Sequence, residues 1–372
     1  MLRRRKDLRD LARTPLLGAM ICMMYQERGE HIPRERLKLY EECVQMMLER
    51  REQKKEVDLA ADYIALGEGE KIALLRALAY WMLDNEMAGV VTEEASDFFE
   101  KRLPGLSRAA PATGAQVVEL FVERVGLLQD EVEGEISFRH RTFQEYLAAN
   151  SAIYEGNIGA LAGRSHDDQW REAIILAFGM ANRKDQSRLL NGILDKARGL
   201  KTDARRRQQL LALACLETGI EVDPELREKV LGEAREVFPP HSAEEAEYVA
   251  RAGVTAVDLL RYDPDCPAMI AAWSIEALAV IGGEAALEAM SAYMASGAYQ
   301  IRDAIADSWA NFDPEAFGHR ILALAPEWGF SRLPSDPHWP RYLAHLDALE
   351  LRGDAAADLS PLAGLSNLTS LR

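Results

Sequence analysis

Phe138-Arg139-His140-Arg141-Thr142-Phe143-Gln144-Glu145-Tyr146-Leu147-Ala148-Ala149 is the stretch on which the reading of this sequence turns. Phe143, Tyr146 and Leu147 stand at i, i+3 and i+4, so a helix is expected from about Arg141 with those three in the core. Just upstream, Gly126-Leu127-Leu128-Gln129 and Glu135-Ile136-Ser137-Phe138 flank an acidic turn containing Gly134, which predicts a two-stranded hairpin. Earlier still, Ile72, Leu75, Leu78-Ala79 and Met82-Leu83 predict an amphipathic helix. Thr92-Glu93-Glu94 is expected to cap a second, bearing Phe98-Phe99, and Val117 to Val125 a third. Several helices closed by a short hairpin form the pattern of a winged helix, assigned here to residues 57–157.

Outward from that segment the rhythm changes on both sides. Residues 1–56 read as a helical domain. Leu8, Leu11, Leu16, Met20 and Met23 recur at helical spacing until Gly29, and Ile32-Pro33 opens a second helix with Leu37, Tyr40, Val44, Met47 and Leu48 on one face. Its tail, Glu49 to Glu56, mixes both charge signs and reads as a solvated helix end. Residues 158–335 are almost wholly helical. Asp-Pro, an N-cap followed by a proline suited to the first turn, occurs at Asp223, Asp263 and Asp313. The run from Trp273 through Gly282-Gly283 to Met290 reads as helix, tight turn, helix. Paired helices at such spacing predict a HEAT-like solenoid. In residues 336–372, Leu346-x-x-Leu349-x-Leu351 is restated by Leu368-x-x-Leu371 after 22 residues, with Leu359, Leu362 and Leu365 between. That period is expected of leucine-rich repeats, of which this would be only the start. The fold class is mainly α.

Composition removes several classes of function. The 372 residues carry 44 Lys+Arg against 60 Asp+Glu, a formal charge of −16, so the basic footprint of a nucleic-acid binder is absent as a whole. No apolar run approaches the roughly 20 residues of a membrane span, and Met1 opens onto Leu2-Arg3-Arg4-Arg5-Lys6-Asp7 without the apolar core of a signal peptide. Cys22, Cys43, Cys215 and Cys266 are isolated, which favours the reducing cytosol and a cytoplasmic location. Chemistry is equally sparse. There is no Gly-Lys pair, hence no phosphate loop of the G-x-x-x-x-G-K-[ST] kind, and Gly67-Glu68-Gly69-Glu70-Lys71 reads as a loop before a helix. Asp167-Asp168 lacks the apolar strand of a magnesium site. No two histidines stand four residues apart, and no G-x-S-x-G elbow occurs. Catalytic and metal-ligating residues are therefore expected to be none.

The quoted stretch strongly resembles the F-x-H-x-[ST]-F-Q-E-[YF]-x-A-A segment that ends the winged-helix domain of NACHT-type STAND NTPases, the class that includes NOD-like receptors and their bacterial relatives. Leu11-Ala12-Arg13-Thr14-Pro15-Leu16-Leu17 and Ile32-Pro33-x-x-Arg36-x-x-Leu39-Tyr40 look like the helical domain that follows the NTPase core in that class. Asp168-Gln169-Trp170-Arg171-Glu172, then helical and leucine-rich repeats, is its order of parts. The resemblance implies an ADP-held switch, with His140 contacting the nucleotide β-phosphate and Pro15 the adenine. Trp170, Trp273 and Trp309 are expected in the inter-helix core. The class's P-loop core should lie before residue 1, so the chain is expected to be the regulatory and sensor portion of a longer protein. ATP or ADP would then belong to the parent, and none to this chain alone. Expected partners are the core in cis, a protein or other trigger on the repeats, and further copies on activation, with no membrane and no nucleic acid. The alternative is a stand-alone helical-repeat scaffold without nucleotide. A third reading, nucleic-acid binding, has only Arg139, Arg141 and Arg205-Arg206-Arg207 in its favour.

Overall fold

The hydrophobic residues predicted at positions 72–83 and 143–147 meet face to face in the computed structural model of the chain. It describes residues 15–27, 33, 35–54, 66–106, 112–132, 134–324, 328–330, 339–343, 348–351, 362, 365, 367 and 369–371. The chain divides into two compact units, Cys22–Arg227 and Met1–Ile21 with Glu228–Arg372.

Helix α1 (Pro15–Glu27) begins on a proline, whose missing N–H is harmless at a helix start. The predicted Leu8, Leu11 and Gly29 lie outside the described residues. In the first unit, α2 (Arg36–Lys54) starts three residues after Pro33 and buries Tyr40, Val44, Met47 and Leu48, with Leu37 half-buried. Then come α3 (Glu68–Asp84), β1 (Gly89–Val91), α4 (Thr92–Glu100), α5 (Gly114–Glu119), β2 (Leu128–Val132), β3 (Glu135–Phe138) and α6 (Arg141–Tyr154). Helices α3 and α6 pack together through Leu75, Leu78, Ala79, Met82, Phe143 and Leu147, all at most 1% exposed. Burying each Leu or Phe here contributes about 1.5–3 kcal/mol. The Gly67 amide donates to Glu70 Oε2 at 2.9 Å and α3 already begins at Glu68, so the Gly67–Lys71 run is the N-cap and first turn of the helix and not the loop expected before it.

The predicted hairpin is present, with Gln129 opposite Ser137 and Leu128 opposite Phe138. A third strand joins it. β1 pairs antiparallel with β3, placing Val90 opposite Ile136, and the sheet order is β1-β3-β2. This changes the start of α4. Thr92 does not cap it: the Thr92 amide is taken by Gly134 O at 2.9 Å at the end of the sheet, and the N-cap is Val91, with no side-chain cap bond. Helix α5 is capped reciprocally by Thr113 and Gln116 and continues as a π-turn, Leu120–Val125, closed by the Gly126 amide on Phe121 O at 2.9 Å.

Beyond α6 run α7 (Ile158–Arg164), α8 (Arg171–Met180), α9 (Arg183–Arg198) and α10 (Thr202–Thr218), each packed on near neighbours in sequence. Buried polar groups stitch them. Thr218 Oγ1 donates to Ile175 O and Gln208 Nε2 to Ser165 O, both at 2.7 Å. Asp167 accepts from the Gln169 amide at 2.9 Å and caps a short turn, so Asp167-Asp168 serves the backbone.

Helix α11 (Pro224–Arg235) starts as predicted, with Asp223 Oδ1 accepting from the Glu225 and Leu226 amides. In the second unit follow α12 (Ala243–Ala250), α13 (Ala268–Ile281), α14 (Gly283–Ser291), α15 (Tyr299–Asp307) and α16 (Pro314–Arg320), the last capped by Asp313. Gly282 and Gly283 both take positive φ (66° and 81°) and make the tight turn between α13 and α14. Asp263-Pro264 departs from expectation. It forms a turn, because Pro267 follows three residues later and bars a helix from running through, so α13 begins at Ala268. Trp170 and Trp309 are buried at 1% and 4%, whereas Trp273 is half-buried.

Three short strands end the described structure: β4 (Trp328–Phe330), β5 (Ala348–Leu351) and β6 (Ser370–Leu371). They are parallel, with Trp328 beside Leu349 and Leu349 beside Leu371, so the 22-residue leucine spacing is one strand-to-strand step. Leu362 and Leu365 are buried, and Leu346, Leu359 and Leu368 lie outside the described residues. The molecule is mainly α.

Candidate functional site

Histidine is an uncommon N-cap, yet His140 holds that place on α6. Its backbone is extended (φ −148°, ψ 133°) and its Nδ1 accepts from the Thr142 amide at 3.2 Å, while the Phe143 amide bonds its carbonyl at 3.0 Å. An imidazole that accepts at Nδ1 carries the proton of its neutral form on Nε2. Burial lowers the His140 pKa, which favours that neutral form, and the positive end of the α6 dipole works in the same direction.

His140 lines a cavity of about 530 Å³. Its other walls are the α3–β1 turn from Leu83 to Gly89, the Gln129 and Ser137 pair of the hairpin, and Arg139, Arg141, Gln144 and Gln169. Gln144, 6% exposed, donates from Nε2 to Met87 O at 3.3 Å, fastening α6 to the α3–β1 turn. Glu86 in that turn takes φ 57°, rare for a residue with a side chain. Glu135 lies so close over Gly89 that an added Cβ there would fall 2.1 Å from Oε1.

The two arginines flanking His140 are committed within the chain. Arg139 Nε donates to Gly126 O at 2.8 Å, and Arg141 Nε pairs with Glu145 Oε1 at 2.9 Å. The Thr142 and Phe143 amides are occupied as well, so at this helix start the imidazole Nε2–H is a directional donor beside the remaining guanidinium N–H groups of Arg139 and Arg141. Arg205 and Arg206 are half-buried, which shrinks the other basic patch.

Pro15, the expected adenine contact, is placed by its backbone at the head of α1, and its side chain lies outside the described residues. Among the described residues no group of His, Cys, Asp and Glu could hold a metal ion, and no helix is long and apolar enough to cross a membrane.

Residues 36–152 match the family model of the winged helix-turn-helix domain C-terminal to NACHT. The chain carries a NACHT-associated winged helix. His140 is its hairpin-to-helix junction, and α2 falls inside the match. No curated protein matches the chain.

The sequence motif singled out His140 as a candidate but gave no sign of the cavity around it. Gln129 and Ser137 face each other across the hairpin, but with Asp130, Glu131 and Glu135 also in its strands nothing in the sequence set them apart. Glu86 and Gln169 carried no signal.

Proposed function

We propose that the chain is the regulatory and sensor portion of a NACHT-type signalling NTPase, and that His140 reports nucleotide state to the helices behind it. The observation that carries the reading is the split use of one imidazole: Nδ1 holds the start of α6, and Nε2–H remains as a donor on a cavity wall. A contact of that kind exists with a diphosphate in place and is lost when the module turns away, which makes it a differential interaction between two states.

In this reading ADP binds between an NTPase core in the same polypeptide and the winged helix, with Pro15 at the adenine. The helical pairs after α7 form a HEAT-like array, and β4, β5 and β6 are leucine-rich-repeat strands. These repeats receive a protein or other trigger, after which copies assemble in the cytoplasm in a defence response such as one against phage. This chain supplies no catalytic group, and ATP or ADP chemistry belongs to the core. The parallel 22-residue strand step supports the repeat assignment.

The test begins with the reading frame upstream, where an in-frame phosphate loop is expected. In that longer protein, His140→Ala should weaken ADP binding at least tenfold by calorimetry and raise basal signalling, with ATP affinity changed less. Unchanged ADP affinity would overturn the role of His140. Absence of a phosphate loop would leave a stand-alone helical scaffold that binds a protein partner.

A further inference from the structure

A cluster of charges joins the winged helix to α8, the second helix beyond it. Arg36 at the start of α2 forms an ion pair with Glu172 at the start of α8 and reaches the Tyr40 hydroxyl at 3.4 Å. Both members of that pair are roughly one-quarter exposed. One turn into α6, Glu145 is 13% exposed and held by Arg141, itself 59% exposed. Tyr40 of α2 meets Tyr146 of α6 edge-on, with ring centroids 6.2 Å apart. Three helices thus converge on two carboxylates and two guanidinium groups. Glu217 of α10 adds a third acid acting on Arg36.

The balance favours a proton on Glu145. Burial, then repulsion from Glu172, pushes its carboxyl up to about 7, against the partial relief given by Arg141 and Arg36. The other charged neighbours of α6 are engaged elsewhere. Arg76 of α3 lies 3.3 Å from the Tyr154 ring centroid, buried Lys71 sits earlier on α3, and Glu41 of α2 faces Tyr146. Arg164 of α7 pairs with Asp84 at 2.6 Å, and Glu135 of β3 packs over Gly89.

We propose that Glu145 is a proton-operated latch between α2, α6 and α8. With a proton taken from solvent, Glu145 stops competing with Glu172 for Arg36, and the Arg36–Glu172 pair clamps α8 onto the winged helix. Ionised, it leaves two acids facing each other in a half-buried joint, and the joint loosens. A carboxyl whose folded pKa is raised contributes stability that is complete below its unfolded value, near 4.5, and is lost as pH rises through about 7.

The experiment is amide hydrogen exchange of α8 and α2, corrected for intrinsic rate, and thermal unfolding of the full chain, between pH 6 and 8. In the native chain the opening constant should rise about tenfold over that range more than in Glu145→Gln, which mimics the protonated form. Glu172→Gln should move the midpoint to lower pH while the chain stays folded. Superimposable pH profiles for the native chain and Glu145→Gln, or a midpoint indifferent to Glu172→Gln, would overturn the latch.

Discussion

At the scale of single residues, His140 caps a helix from the wall of a cavity. A helix start usually takes Ser, Thr, Asp or Asn, and the imidazole here does the same work through Nδ1. Replacing it with Ala should cost about 1 kcal/mol of stability by denaturant unfolding, while His140→Asp should recover most of that by accepting the same amide. The pH dependence has a definite sign. A histidine whose folded pKa is depressed gives stability that is present above its unfolded value, near 6.5, and lost as pH falls through the folded value. Nitrogen chemical shifts should place the proton on Nε2 at neutral pH, and a ring protonated on Nδ1 would contradict the capping geometry. The residue itself was legible in the sequence through its motif. Its capping role was not, because histidine has no strong preference for that position. The Glu145 cluster was illegible for another reason: Arg36, Glu145 and Glu172 are separated by more than a hundred residues in total and share no pattern until the chain folds.

At the scale of elements, periodicity did well where one face of a helix is buried and poorly where a partner lies far along the chain. Helices α2, α3 and α6 could be drawn from their apolar spacing. The three-residue β1 could not, since Gly89–Val91 becomes a strand only through pairing with Glu135–Ser137. Asp-Pro behaved in the same local way, starting helices after Asp223 and Asp313 and only a turn after Asp263, where Pro267 intervenes. Glycines give a test of packing between elements. A Cβ on Gly114, at the start of α5, would sit 1.9 Å from the Ser96 carbonyl oxygen of α4. Gly114→Ala should therefore cost about 1–3 kcal/mol. Gly232 is exposed inside α11 with nothing within 4 Å of its added Cβ, so Gly232→Ala should stabilise by about 1 kcal/mol. Melting temperatures of the two variants should move in opposite directions.

At the scale of the whole molecule, charge argues against DNA as the ligand of the winged helix. Winged helices can present a helix and a hairpin to DNA, but here the net charge is −16 and both arginines beside His140 are bonded within the chain. Fluorescence anisotropy with duplex DNA near physiological salt should show no binding, and strongly salt-dependent binding would count against that conclusion. The mainly α architecture was legible because helical spacing dominates the sequence. The strand pairing of Leu349 with Leu371 matches the 22-residue leucine spacing, whereas the cavity beside His140 left no mark in the sequence. It exists only because a turn, a hairpin and a helix start, each with unremarkable residues, are brought to one place.

The π-turn at Leu120–Val125 has a consequence of its own. It holds one residue more than an α-helical path would need, and it lies immediately before Gly126, whose carbonyl receives Arg139. That surplus is taken up within the one wide turn, which the Gly126 amide closes on Phe121 O before the hairpin begins. A one-residue deletion between Leu120 and Val125 would remove the surplus and leave a regular helix. Because the wider turn already absorbs that residue, the deletion would leave the hairpin and the His140 junction near their present orientation.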